Sequence, residues 1–149
     1  MYLTLAQKKA VLVERFSSIR DPQERFSLVV QLARQPSTLP PQLKSESYRV
    51  EGCLARLWLH SRFENCRCFF ESDSDSVIMK GIAALLCDFY SGGTPAEITA
   101  LDPAFLNELG LGQFLTPNRR NGLARIARTI REYAESRTIP GEKQLSEPV

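Results

Sequence analysis

Apolar positions along the chain recur at helical spacing, then in short alternating runs, then at helical spacing again. Leu5 to Ile19 places Ala10, Val11, Phe16 and Ile19, with Val13 in part, roughly on one face and predicts a first helix. Pro22 to Arg34 predicts a second, with Phe26, Val29, Val30 and Ala33 at core spacing. Prolines from Pro36 to Pro41 then break the chain. From Ser47 to Glu71 the texture turns β-branched and aromatic. It predicts three antiparallel strands, about Ser47–Glu51, Ala55–Phe63 and Cys66–Glu71, with a turn at Glu64-Asn65.

The serines and aspartates of Ser72–Ser76 offer N-caps to a very apolar helix reaching about Tyr90. Ile78, Ile82, Leu85, Leu86 and Phe89 share its face and predict the central helix of the core. Ser91-Gly92-Gly93 ends it. Short helices follow at Pro95–Leu101 and Pro103–Leu109, and Thr116-Pro117 opens a last long one to about Ser136. Thr4-x-x-Gln7, Asp21-x-x-Glu24 and Thr94-x-x-Glu97 read as capping boxes. The sum is α+β: two N-terminal helices, a three-stranded antiparallel sheet and a helical C-terminal half, forming one domain over residues 1–137. Residues 138–149, with Pro140, Gly141 and Pro148, carry little to bury and are expected to be a disordered tail.

Composition narrows the function classes. The chain has 149 residues, 43% hydrophobic and 24% charged, enough for a core without disulfide or metal support. A net charge of +2 gives no bulk attraction to nucleic acid or membranes. No apolar stretch approaches the ~20 residues of a membrane span, and the opening residues do not read as a secretory signal. The expectation is a cytoplasmic protein whose four cysteines, Cys53, Cys66, Cys68 and Cys87, stay reduced.

Candidate chemistry concentrates at Cys53. A β-type run stops at Gly52, presents a thiol and resumes at Ala55. Gly52 permits a tight bend, so the cysteine is displayed at a loop tip where a partner can reach it. A structural thiol near a turn is the competing reading. A second candidate breaks a local rule: Arg119 and Arg120 sit in the first turn of a helix, where the macrodipole disfavours cations by roughly 0.3–1 kcal/mol each. Residues that oppose local preference often serve a site. Two solvated arginines are the bland alternative.

These residues resemble the SufE family of sulfur-acceptor proteins. Gly52-Cys53 followed by Leu57-Trp58-Leu59 is similar to its active-site loop. Asp73-Ser74-Asp75-Ser76-Val77-Ile78-Met79-Lys80-Gly81 is similar to its Asp-Ser-Asp segment and apolar helix. Thr94-Pro95-Ala96-Glu97-Ile98 and Leu115–Leu123 match further blocks in the same order, so the likeness covers roughly residues 10 to 135. The resemblance implies the compact α+β fold shared with IscU-type scaffolds. It also implies a sulfur carrier rather than an enzyme, with no cofactor of its own. Such a carrier takes persulfide sulfur from a pyridoxal-phosphate cysteine desulfurase, SufS-like or CsdA-like, stimulates it, and passes the sulfur to a SufBCD-like iron–sulfur scaffold. By motif position Cys53 bears the persulfide, Arg119 serves sulfur transfer or docking, and Asp75 holds the cysteine loop. A monomer or weak homodimer is implied, with no nucleic-acid or membrane partner.

The acceptor must present a thiolate, and Arg49, Arg56 and Arg119 are candidates for stabilising it while Glu51 opposes them. Leu54 departs from the family, where many relatives carry a polar residue such as glutamine. Two other readings stand beside this one. Cys66 and Cys68 on one strand would share a face, and with Cys53 they would supply three ligands for zinc or a cluster on an IscU-like fold. A fourth ligand is hard to name; His60, the only histidine, is not well placed by the pattern. Separately, Arg119, Arg120, Arg125, Arg128 and Arg131 form a basic stretch that would suit nucleic-acid phosphates, but without aromatic interleaving. Cys87 falls within the apolar helix and reads as structural.

Overall fold

A computed structural model describes residues 3–35, 39–50, 55–110 and 115–138. Two helices, α1 (Leu5–Ser17) and α2 (Pro22–Ala33), lead into short 3₁₀ turns at Pro41–Leu43 and Glu46–Tyr48. An antiparallel hairpin follows, β1 (Leu57–Glu64) and β2 (Arg67–Ser74), and then helices α3 (Val77–Tyr90) and α4 (Pro95–Ala100). A 3₁₀ segment at Pro103–Leu109 and the long helix α5 (Pro117–Ser136) complete the order. No helix among the described residues is long and apolar enough to cross a membrane.

The expected central helix is central. α3 packs against α2, β2, α5 and α1, and Ile78, Ile82, Leu85, Leu86 and Phe89 are all buried in it. Ile82 and Leu86 meet Phe16, Val29, Leu57, Ile126 and Ile130 in a core that excludes water completely at these side chains. Each such burial stabilises by ~1.5–3 kcal/mol against an exposed side chain. The approach of α3 to α2 is close enough to require glycine: a Cβ on Gly81 would lie 2.2 Å from the Val29 carbonyl oxygen.

The C-terminal end of α3 is closed by a residue from elsewhere in the chain. Lys8 Nζ donates to the carbonyls of Asp88, Phe89 and Ser91 at 3.2, 3.1 and 2.8 Å, placing an ammonium at the negative end of the helix dipole. Burial lowers the Lys8 pKa, against the opposing pull of Asp88 and Glu97.

Four sequence expectations need correction. The described residues hold a two-stranded sheet, not a three-stranded one. Glu46–Tyr48 curls into a 3₁₀ turn, and the third strand shrinks to a single bridge between Arg49 and Trp58. Helix α1 turns a shifted face inward: Phe16 is buried and Val13 packs partly against the core as expected, but Leu5 and Leu12 join them while Ala10 and Val11 are exposed. Leu5, Leu12 and Phe16 follow the 3.6-residue period that a set beginning at Ala10 does not. Asp21 caps α2 through Gln23 N–H, with no reciprocal bond from Glu24, whereas the boxes at Thr4 and Thr94 are complete. Finally, the hairpin turn is Asn65-Cys66, both at positive φ, so Cys66 belongs to the turn and not to a strand. Residues 36–38 and 139–149, with them the Pro36 break and nearly all of the expected tail, lie outside the described residues.

Candidate functional site

The chain on either side of residues 51–54 is held tightly. Val50 N–H donates to the Leu57 carbonyl at 2.8 Å, next to the Arg49–Trp58 bridge. Arg56 is then fixed through its backbone on both sides. Its N–H donates to Asp75 Oδ1 at 3.0 Å, and its carbonyl accepts from Ser74 Oγ at 2.6 Å and from Asp75 N–H at 3.2 Å. The neck of this loop is therefore built from β1, the end of β2 and the two residues that lead into α3. Glu51, Gly52, Cys53 and Leu54 themselves lie outside the described residues.

A second layer of polar contacts holds the segment before the loop. Asp73, only 6% exposed, forms an ion pair with Lys44 and lies 3.9 Å from Lys80. Burial alone would raise its carboxyl pKa. The hydrogen bonds from Lys44 and the Ser74 N–H, with the charges of Lys44 and Lys80, outweigh burial and hold it below the usual carboxylate value. Asp73 thus ties the stretch before Arg49 to the same β2–α3 corner that Asp75 ties to Arg56.

Beside this neck opens a cleft of about 270 Å³, lined by Ala55, Ser76, Met79, Thr116, Asn118 and Arg119. Ser76 and Thr116 are the N-caps of α3 and α5. Ser76 Oγ accepts from Met79 N–H at 3.3 Å, and Thr116 Oγ1 accepts from Arg119 N–H at 3.3 Å. Two helix N-termini therefore meet on one cleft, each carrying a partial positive charge, and Arg119 adds a full one. Among the described residues no carboxylate pairs with the Arg119 guanidinium and none lines the cleft. Such a site favours an anion, whether thiolate, persulfide or carboxylate.

The sequence-predicted residues distribute unevenly around this geometry. Asp75 and Arg119 both lie at it, Asp75 in the neck and Arg119 on the wall. Arg49 is turned to Glu46, 3.3 Å away, and Arg56 contributes its backbone while its side chain is exposed. Arg120 turns off the cleft, donating from Nη1 to the Leu115 carbonyl at 3.1 Å. Asp73, Ser74, Ser76 and Thr116 had capping or motif character in the sequence but no place at the site. Their capping and turn character was readable, but their convergence required α5 to fold back beside α3.

The geometry does not bring Cys66 and Cys68 together as metal ligands. Cys66 is exposed in the turn, while Cys68 is completely buried in β2. Burial pushes the Cys68 thiol up to about 11 and the Cys87 thiol, inside α3, up to about 12. Both are poorly suited to act as thiolates near neutral pH. His60 Nδ1 lies 3.5 Å from Glu71 Oε1 across the hairpin without a hydrogen bond, and the ring packs edge-on against Tyr48.

Comparison with known proteins bears on this geometry. A family model for SufE, described as an Fe-S metabolism associated domain, matches residues 10–134. A SufE-like protein 1 of Arabidopsis thaliana, chloroplastic/mitochondrial, is 34% identical over 143 residues; the match covers 95% of this chain and 38% of that protein. The chain thus spans well under half the length of that relative. A cysteine desulfuration protein SufE of Wigglesworthia glossinidia brevipalpis is 30% identical over 129 residues, 85% of this chain and 90% of that one. An uncharacterised SufE-like protein of Synechocystis is 31% identical over 131 residues, covering 88% and 82%. In structure, a hypothetical protein of Thermus thermophilus shares the fold with a TM-score of 0.73 at 23% identity, covering 87% of this chain and 95% of that one.

Proposed function

The chain belongs to the SufE family, and from that premise we propose that it accepts sulfur on Cys53 from a pyridoxal-phosphate cysteine desulfurase. It stimulates that enzyme by removing its persulfide, and relays the sulfur to an iron–sulfur cluster scaffold. The observation that carries this reading is the cleft lined by Ala55, two residues beyond Cys53 in the chain, with the N-termini of α3 and α5 and Arg119 around it.

The chemistry is thiol–disulfide exchange. The Cys53 thiolate attacks the outer sulfur of the donor persulfide. A new S–S bond forms on Cys53, the donor S–S bond breaks, and the donor cysteine departs as a thiolate. The acceptor gains by holding its sulfur as an anion, and a cation with two helix N-termini stabilises that charge. Arg119 acts on the sulfur or on the docked desulfurase. Asp75 acts through Arg56, fixing where the chain leaves the loop. The chain is then a carrier and activator in a compartment that keeps thiols reduced, with a SufS-like or CsdA-like donor and a SufBCD-like recipient.

The test is the intact and peptide mass of the protein after mixing with a cysteine desulfurase and cysteine. One extra sulfur on the Cys53 peptide, absent in Cys53→Ser together with desulfurase stimulation, is the expected result. Sulfur found instead on Cys66, Cys68 or Cys87 would overturn the assignment.

A further inference from the structure

A second concavity, of about 470 Å³, runs between the Pro103–Leu109 segment and α5. None of the residues that line it lines the Arg119 cleft. Its apolar lining comes from buried Leu106 and Ala127 and half-buried Leu123, and its cationic lining from the less buried Arg120, Arg128 and Arg131. No carboxylate is among the residues that line it. Arg131 lies 3.9 Å from Glu135, outside the groove, and Arg128 is exposed with no ion pair among the described residues. Positions 120, 124, 127 and 131 follow one another down a single face of α5, a stripe ~16 Å long at 1.5 Å per residue.

We propose that this groove docks an acidic, apolar-anchored segment of a partner protein. Charge complementarity selects the occupant: three guanidiniums over a floor without acids match carboxylates flanking a row of apolar side chains. The length of the stripe accommodates about three turns of an amphipathic helix, the groove-binding mode that apolar anchors at i, i+3 and i+7 use. The arginine rim steers and orients the partner, and the floor supplies burial. A nucleic-acid strand fits less well, because the floor offers no aromatic side chain for bases to stack on and the arginines border apolar surface.

The probe is a fluorescent helical peptide of about twelve residues, with leucines at i, i+3 and i+7 flanked by glutamates. Fluorescence anisotropy with the full chain should show saturable binding that weakens with salt. Binding should fall ~10-fold or more in Arg128→Glu, on the scale of a lost charge-assisted contact. It should fall similarly in Ala124→Glu, which places a carboxylate in the groove at an exposed position. Thermal melts confirm that both variants fold. Control peptides with glutamine for glutamate, or serine for leucine, should bind weakly. Binding unchanged in both variants, no binding at all, or preference for a single-stranded oligonucleotide of equal charge would overturn the proposal.

Discussion

The Asp75 carboxylate accepts the backbone N–H of Arg56 at 3.0 Å, while the Asp75 N–H donates back to the Arg56 carbonyl at 3.2 Å. An exposed residue between β2 and α3 therefore fixes both polar groups of one peptide-backbone residue at the exit of the Cys53 loop. The side chain can be changed without touching the core, which separates positioning from folding.

Asp75→Ala removes the Oδ1 bond and leaves the backbone bond and the Ser74 bond in place. For one exposed hydrogen bond to an ionised acceptor, the expected loss is about 1 kcal/mol. Sulfur acceptance should drop several-fold, and Asp75→Asn, which keeps a carbonyl acceptor, should recover most of it. The measurements are persulfide formation on Cys53 against time, and melting temperature. A wild-type rate in Asp75→Ala would remove the positioning role.

The buried cysteines give a contrast that chemical labelling can read. In the folded protein at about pH 8, iodoacetamide should alkylate exposed Cys66 and spare Cys68 and Cys87 until denaturant is added. Both buried thiols stay neutral in the fold, with values near 11 and 12, while unfolded thiols ionise at their ordinary value near 9. Their contribution to stability is fully present below that ordinary value and is lost as pH rises through it toward the folded ones. Melting temperature should therefore decline on the alkaline side. Labelling of Cys68 as fast as Cys66 would contradict the burial.

Much of the scaffold was legible because it rests on local chemistry. The apolar row of Ile78, Ile82, Leu85, Leu86 and Phe89 identified the central helix, and Thr4, Thr94 and Thr116 marked true N-caps. Legibility failed where a distant partner decides the outcome. Lys8 reads as a solvated charge until the end of α3 arrives beside it. The Ser47–Glu51 run has strand texture, yet among its described residues only Arg49 finds a bridging partner. Cys66 sits in a left-handed turn that a cysteine seldom adopts, so strand alternation misplaced it. At the site, motif position indicated Asp75 and Arg119, but nothing local said that Ser76 and Thr116 would cap two helices around one cleft.

Asp73 should make the protein sensitive to acid. Its carboxyl value is depressed in the fold, so its stabilising effect is present above the ordinary carboxylate value and is lost as pH falls through the folded one. Asp73→Asn should lower stability near neutral pH by about 1–2 kcal/mol, less than for a fully buried pair because Lys44 is a third exposed. It should also flatten the acid limb of a plot of melting temperature against pH. An acid limb identical to that of the wild type would show that another group controls it.

Arg119 offers the sharpest separation of stability from function. It lines the same cleft as Ala55, in the first turn of α5 at the positive end of the dipole, so the fold gains little from it and loses a fraction of a kcal/mol by keeping it. Arg119→Ala should leave the melting temperature unchanged or slightly raised. Persulfide transfer should fall ~10-fold, the cost of one charge-assisted contact of ~1.5 kcal/mol. Arg119→Lys keeps the charge but not the planar fork, and should recover part of the rate. Arg125→Ala, an exposed position further along the same helix, is the control and should behave as wild type. Desulfurase turnover at saturating cysteine, read beside thermal melts for each variant, makes the comparison. Equal turnover with wild-type protein and Arg119→Ala would reduce Arg119 to a solvated surface charge, and the cleft would then have to work through its two helix N-termini alone.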